Sequence, residues 1–122
     1  MKLHEMIQLL QAKPITLFDS YILQRDYYYV FCTDLMSDAL AMIVTNCNQT
    51  LLITGLANAQ SLRTAEMMDI QTIVYCRNKR LSEDNIDLAA SMELNIFTTP
   101  LSMFEAGGVL YKEGLKTAIK YD

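Results

Sequence analysis

Three times along this chain an apolar, strand-like run ends in small polar residues and is followed by a helix-like run. The first is Tyr28-Tyr29-Val30-Phe31-Cys32, ending in Thr33-Asp34 with Ser37-Asp38 close behind. The second is Leu51-Leu52-Ile53, ending in Thr54-Gly55 with Asn58 behind, and the third is Asn95-Ile96-Phe97, ending in Thr98-Thr99-Pro100. Alternation of strand and helix requires crossover connections, which build a mostly parallel sheet with helices packed on it. Open sheets of this kind place ligands at the carboxyl ends of their strands. The expected fold is therefore α/β: a single domain over residues 1–122, with a mostly parallel sheet of about five strands and helices packed on it.

The elements follow from local pattern. Leu3, Met6, Ile7 and Leu10 have the spacing of an amphipathic helix, which Pro14 is expected to end. Ile15 to Phe18 reads as a short strand, and Asp19 to Asp26 as a connection. Tyr27 to Thr33 is aromatic and β-branched, hence a strand. Asp34 or Ser37 is placed to cap a helix from Asp38 to about Val44, and Cys47-Asn48-Gln49 reads as a loop. Thr50 to Thr54 is a buried strand, Asn58 caps a helix running to about Asp69, and Gln71 to Cys76 is a further strand. Ser82 caps a helix to about Glu93, with Leu81 and Ile86 at the positions of a hydrophobic staple. Asn95 to Thr98 is the last strand expected. Thr99 is expected to cap a final helix with Pro100 at its first position, and Gly114 to stop it.

Composition narrows the function classes. With 122 residues, 52% of them hydrophobic and 20% charged, the chain is long enough for a core of its own. A net charge of −4 argues against a nucleic-acid polymer as partner. The basic cluster Arg77-Asn78-Lys79-Arg80 reads as a solvated loop between a strand and a helix. No apolar run approaches the roughly 20 residues that cross a bilayer, and Met1 to Glu5 lacks the features of a signal peptide. The expectation is a soluble, cytoplasmic protein with no membrane partner. Cys32, Cys47 and Cys76 form no CxxC pair, and His4 is the one histidine. Zinc, thioredoxin-like and histidine-based chemistry are therefore poorly served, and no cofactor is indicated.

Each polar position has a structural reading beside a functional one. Thr54 and Gly55 end a strand and make a turn, and Asn58 caps a helix; the same residues are suited to an anion at a helix start. Arg63 offers a fork for phosphate or carboxylate, or pairs on the surface with Glu66; Thr64 is beside it. Asp34, Ser37 and Asp38 are the densest acidic patch near a strand end, fit for helix capping or for magnesium held with a substrate phosphate. Thr98, Thr99 and Ser102 bring hydroxyls to the last helix start. Gly107-Gly108 inside that helix is unusual, since each glycine costs about 1 kcal/mol against alanine. Close packing at a subunit interface accounts for the pair, and so does a break in the helix. Tyr27-Tyr28-Tyr29 alternates across a strand, so at least one ring is expected to face a surface or a partner.

Taken in order, Thr33-Asp34-Leu35-Met36-Ser37-Asp38, Leu51-Leu52-Ile53-Thr54-Gly55-Leu56, Arg63-Thr64-Ala65-Glu66-Met67, Ile73-Val74-Tyr75, Thr98-Thr99 and Ser102-Met103-Phe104 resemble the DRTGG-domain family. The chain is similar as well to the N-terminal domain of HPr kinase/phosphorylase. The string Asp-Arg-Thr-Gly-Gly itself is absent; Arg63-Thr64-Ala65 is a fragment of it. So is the kinase phosphate loop, G-x-x-x-x-G-K-[ST]. The resemblance implies a domain like the one that holds a uridine nucleotide in Mur ligases, and a regulatory or accessory role, because DRTGG domains accompany CBS pairs and phosphate acetyltransferase-like enzymes. The expectation is a regulatory module, not an enzyme, that binds a small anionic or nucleotide-like ligand. Its site would draw on Thr33, Asp34, Ser37, Asp38, Thr54, Gly55, Asn58, Arg63, Thr64, Thr98, Thr99 and Ser102. A homodimer is expected, with a partner enzyme to act on. Two alternatives are an interaction subunit that dimerises and docks on an enzyme complex without a ligand, and a small metal-assisted enzyme using Asp34 and Asp38.

Overall fold

Three neighbouring parallel strands, buried at every position, form the centre of the molecule. In the computed structural model, which describes residues 1–42 and 47–119, these are β3 (Thr50–Thr54), β4 (Thr72–Tyr75) and β5 (Asn95–Thr98). Their near-continuous apolar and β-branched sequences are the pattern of a sheet covered on both faces. β2 (Tyr29–Cys32) extends the sheet in parallel beyond β3, and the short β6 (Lys116–Thr117) pairs in parallel with β2. β1 (Lys13–Thr16) pairs antiparallel with β5, with a bulge between Pro14 and Thr16. The strand order is β1-β5-β4-β3-β2-β6.

Alternation along the strands splits the core in two. Leu51, Ile53, Val74, Cys76 and Phe97 lie on the face of α1 (Leu3–Leu9) and α5 (Met103–Lys112), among Leu3, Met6, Leu10, Ala106 and Leu110. Phe31, Leu52, Ile73, Tyr75 and Ile96 belong to the opposite face. There they meet α2 (Met36–Met42), α3 (Ala59–Met68) and α4 (Glu83–Ser91) through Met36, Ala39, Leu62, Ala65 and Ala89. Polar groups within these layers are paired. The Tyr27 and Thr72 hydroxyls are 2.7 Å apart, as are those of Ser61 and Tyr75. Asn95 Oδ1 accepts the backbone N–H of Phe18 at 2.9 Å. Among the described residues no buried side-chain nitrogen or oxygen lacks a partner, as burial of polar atoms demands.

The structure corrects several boundaries. Pro14 does not end the first helix. That helix closes earlier on Gln11 (φ 54°), and Pro14 lies in the edge strand β1, where its missing N–H is tolerated. β1 accordingly begins at Lys13, and the segment after it holds a 3-10 turn (Ser20–Gln24) started by the Asp19 carboxylate. Neither Asp34 nor Ser37 caps α2, which begins at Met36 with Ser37 already inside it; Val44, where its end was expected, lies outside the described residues. Cys47 to Gln49 is a 3-10 turn. Ser102, not Thr99, caps α5, accepting the Glu105 N–H at 3.2 Å while Glu105 Oε1 accepts the Ser102 N–H at 3.2 Å. β6 was not anticipated, because two exposed residues carry no periodic signal.

Four helices end alike. The N–H of Ala12, Ile70, Leu94 and Leu115 each reaches back five residues, to the carbonyls of Ile7, Ala65, Ala89 and Leu110 at 2.9–3.1 Å. This closure needs a left-handed residue just before the donor. Those residues are Gln11 (φ 54°), Asp69 (φ 58°), Glu93 (φ 60°) and Gly114 (φ 96°). An L side chain is disfavoured there by contact with the following carbonyl. Gly114→Ala should therefore cost about 1 kcal/mol in urea denaturation. Glu93→Gly should gain about 0.5 kcal/mol, the relief being offset by the freer unfolded chain.

Candidate functional site

The register aligns the strand ends. Cys32, Ile53, Val74 and Phe97 stand side by side, and Thr54, Tyr75 and Thr98 form the next row. Thr33 continues that row, its N–H donating to the Ile53 carbonyl at 3.1 Å. The residues that follow each strand, Asp34, Gly55, Cys76 and Thr99, thus emerge along one rim.

Asp34 ties two strand ends together. Its Oδ1 accepts the Gly55 N–H at 2.6 Å and the Thr54 hydroxyl at 3.1 Å, and Thr54 Oγ1 in turn accepts the Leu56 N–H at 3.1 Å. A side chain at Gly55 would press on these groups. A Cβ there would stand 3.3 Å from Asp34 Oδ1 and 3.4 Å from Arg77 Nη2.

Arg77 is the functional candidate that the sequence reading missed. It follows Cys76 at the end of β4, inside the basic cluster read as a solvated loop. Arg77 and Asn78 are both left-handed (φ 55° and 56°), in a turn closed by the Lys79 N–H on the Cys76 carbonyl at 3.0 Å. Their own N–H groups donate to the carbonyls of Leu101 at 2.9 Å and Thr99 at 2.8 Å. The turn is thereby fastened to the segment leading into α5, and the guanidinium lies near Gly55, with Nη2 3.4 Å from where a Cβ would stand. No ion pair with Asp34 is formed; the ion pair found among the described residues joins Lys2 and Asp26 at 3.5 Å. The available signal was positional, since parallel topology sends whatever follows β4 to the same rim as Thr54.

Beside this corner lies a hollow of ≈ 330 Å³ lined by Gln11, Lys13, Asn78, Thr98 and Pro100. Lys13, Arg77, Lys79 and Arg80 are all exposed. The antiparallel pairing of β1 brings Lys13 opposite Thr98, so a chain of net negative charge presents a basic stretch at this end of the sheet.

The other expected site residues are distributed as follows. Thr33 Oγ1 accepts the Leu35 N–H at 3.0 Å. Ser37 and Asp38 lie in the first turn of α2. Asn58 caps α3, its side chain accepting the Ser61 N–H at 3.2 Å. Arg63 is exposed on α3 and does not pair with Glu66, and Thr64 is buried. Thr98 donates to the Lys79 carbonyl at 2.8 Å, and Thr99 to the carbonyl of Leu10. Ser102 caps α5. Of the twelve, Asp34, Thr54 and Gly55 meet directly, with Thr33 in the same row. Among the described residues no group of three or more His, Cys, Asp or Glu is placed to hold a metal, and no helix is long and apolar enough to cross a membrane.

The thiols near the rim are held protonated. Burial pushes Cys76 up to about 11, with Cys32 and Asp34 adding to the rise and Arg77 opposing it. Cys32 is exposed as a residue, but its sulfur lies against Gly107, and the desolvation there pushes the thiol up to about 11 as well. Burial likewise raises Tyr75 to about 12, against the Ser61 hydrogen bond. Neither thiol is a nucleophile near neutral pH, since the thiolate is the reactive form.

No family model matches this chain, and no curated protein matches it. Among solved structures it is similar to the CBS and DRTGG domains of the regulatory region of Clostridium perfringens pyrophosphatase, crystallised with the activator diadenosine tetraphosphate. The TM-score is 0.69 at 15% identity, over 99% of this chain and 51% of that one. At that identity the likeness is one of fold. This is an α/β domain similar in fold to part of that structure, spanning about half of its length.

Two measurements probe the rim. Asp34→Ala leaves the Gly55 N–H without its acceptor and should cost about 1–2 kcal/mol in urea denaturation. Alkylation of Cys32, followed by mass spectrometry, should run about two orders of magnitude slower at pH 8 than for an ordinary thiol near 8.5, accelerating until about pH 11. The unfolded chain releases these thiol protons first. The stability they contribute is therefore present below about pH 8.5 and lost as pH rises through about 11.

Proposed function

We propose that residues 1–122 form one DRTGG-like regulatory module, without catalytic activity of its own, that binds a small anionic, nucleotide-like ligand at the carboxyl ends of the strands. The observation that carries this reading is the Arg77 guanidinium near Gly55, next to Asp34 and in no ion pair among the described residues. An arginine whose backbone is fixed in a turn at the rim, with its fork open, suits a phosphate oxygen pair. Lys13 brings a further positive charge to the hollow beside Thr98, and the exposed Lys79 and Arg80 follow Arg77 in the chain. Asp34 Oδ1 already accepts two hydrogen bonds, and its second oxygen is suited to a donor such as a ribose hydroxyl or a ring amine. A ligand carrying both phosphate and hydrogen-bond donors fits this combination better than a plain anion. The fold shared with a regulatory region crystallised with a nucleotide activator supports the reading. In this role the module relays occupancy of the rim to an enzyme in the same assembly, in the cytoplasm.

Thermal shift against ATP, diadenosine tetraphosphate and inorganic phosphate tests it. A saturating upward shift is expected with at least one nucleotide; a ligand at a hundred times its dissociation constant stabilises by about 2.7 kcal/mol. Arg77→Ala should abolish the shift, whereas Arg63→Ala should leave it. Absence of a shift with every nucleotide, or a shift that survives Arg77→Ala, would overturn the assignment.

A further inference from the structure

We propose that two copies of this chain pair through the outer face of α5, helix against antiparallel helix, about a two-fold axis beside Gly107 and Gly108. This surface is separate from the rim and does not depend on the ligand reading.

Phe104, Gly107, Gly108 and Tyr111 follow the spacing i, i+3, i+4, i+7 and so form one stripe. The stripe points away from the core, which α5 meets through Ala106 and Leu110. Phe104 is 89% exposed and Tyr111 79%, large apolar surfaces that no part of the described chain covers. With Cys32 and Met103 they line an apolar hollow of ≈ 670 Å³.

The two glycines differ. A Cβ on Gly107 would meet Cys32 Sγ at 3.3 Å, so packing within the chain accounts for it. A Cβ on Gly108 would meet nothing within 4 Å. A glycine inside a helix is unfavourable, and nothing among the described residues packs on Gly108 to offset it. Close approach of a second backbone does, as at small-residue helix crossings.

Charge selects the occupant and its direction. Glu105 and Lys112 flank the stripe on the same side, seven residues and about 10 Å apart along the axis, too far to pair within one helix. Glu105 uses Oε1 to cap Ser102, leaving its second oxygen for another donor. Lys112 forms no ion pair among the described residues. A two-fold axis perpendicular to α5 sets Phe104 against Tyr111 of the second copy and Glu105 beside Lys112 of the second copy, on both ends of the contact at once. Parallel pairing instead sets like charges level with like. The stripe is thus complementary to its own reverse, the condition for a closed isologous dimer.

Sedimentation equilibrium on the full chain tests the proposal. A concentration-dependent dimer is expected, with Gly108→Arg raising the dissociation constant at least tenfold. Gly108→Ala separates dimer from fold: helix propensity predicts a higher melting temperature at concentrations where the protein is monomeric, and the interface predicts weaker dimerisation. Lys112→Glu should weaken the dimer, and the double variant Glu105→Lys/Lys112→Glu should restore it. A strict monomer, a dimer indifferent to Gly108→Arg, or no rescue by the charge exchange would each overturn this arrangement.

Discussion

A one-residue slip of β3 against its neighbours would carry Leu51 and Ile53 to the face of α2, α3 and α4, and Leu52 to the face of α1 and α5. Both faces are fully buried, so such a slip would exchange large side chains between two packed layers at once. This is the constraint that holds the register of β3, β4 and β5, to which β2 is tied by its pairing with β3, and through it the position of the residues beyond their carboxyl ends. The rim is a by-product of the core: Asp34 reaches Gly55, and Arg77 lies near it, because three strands are forced to finish level.

Along that rim the polar side chains divide by what they already hold. Thr98 and Thr99 give their hydroxyl protons to the carbonyls of Lys79 and Leu10, while Asn58 and Ser102 are occupied by backbone N–H groups at helix starts. These groups make the molecule cohere. Arg77 differs in kind: its backbone is bound on two sides, while its charge is left outward. Anchoring of the backbone fixes where the side chain starts, and the guanidinium keeps all its donors for a ligand, which it would order on binding.

The sequence discloses those parts of this fold that are periodic. β3 and β5 occupy the residues expected, because runs such as Thr50–Thr54 and Asn95–Thr98 are buried on both sides and admit little else. Asn58, Ser82 and Gly114 work as helix signals because a small polar cap or a glycine states its geometry locally. Thr99 misled for the same reason. It is a good cap by type, but the chain needs Pro100 and Leu101 to complete its passage over the turn at Arg77, and the helix waits for Ser102. Arg77 and β6 were illegible because both depend on what lies beside them in space. The meeting of Asp34, Thr54 and Gly55 could be anticipated as a neighbourhood from parallel topology. Which of the twelve candidate residues remain unengaged could not, since that is fixed by side-chain partners as far apart in sequence as Thr99 and Leu10.

The two margins of the sheet are poor templates for extension. On one, Pro14 supplies no amide hydrogen and a bulge interrupts the ladder next to it; on the other, β6 offers two residues with exposed side chains. A further strand joining either margin would find few backbone groups to bind, which guards the molecule against open-ended stacking. Growth in one dimension is thereby discouraged, and helical surfaces are left as the ground on which finite complexes form.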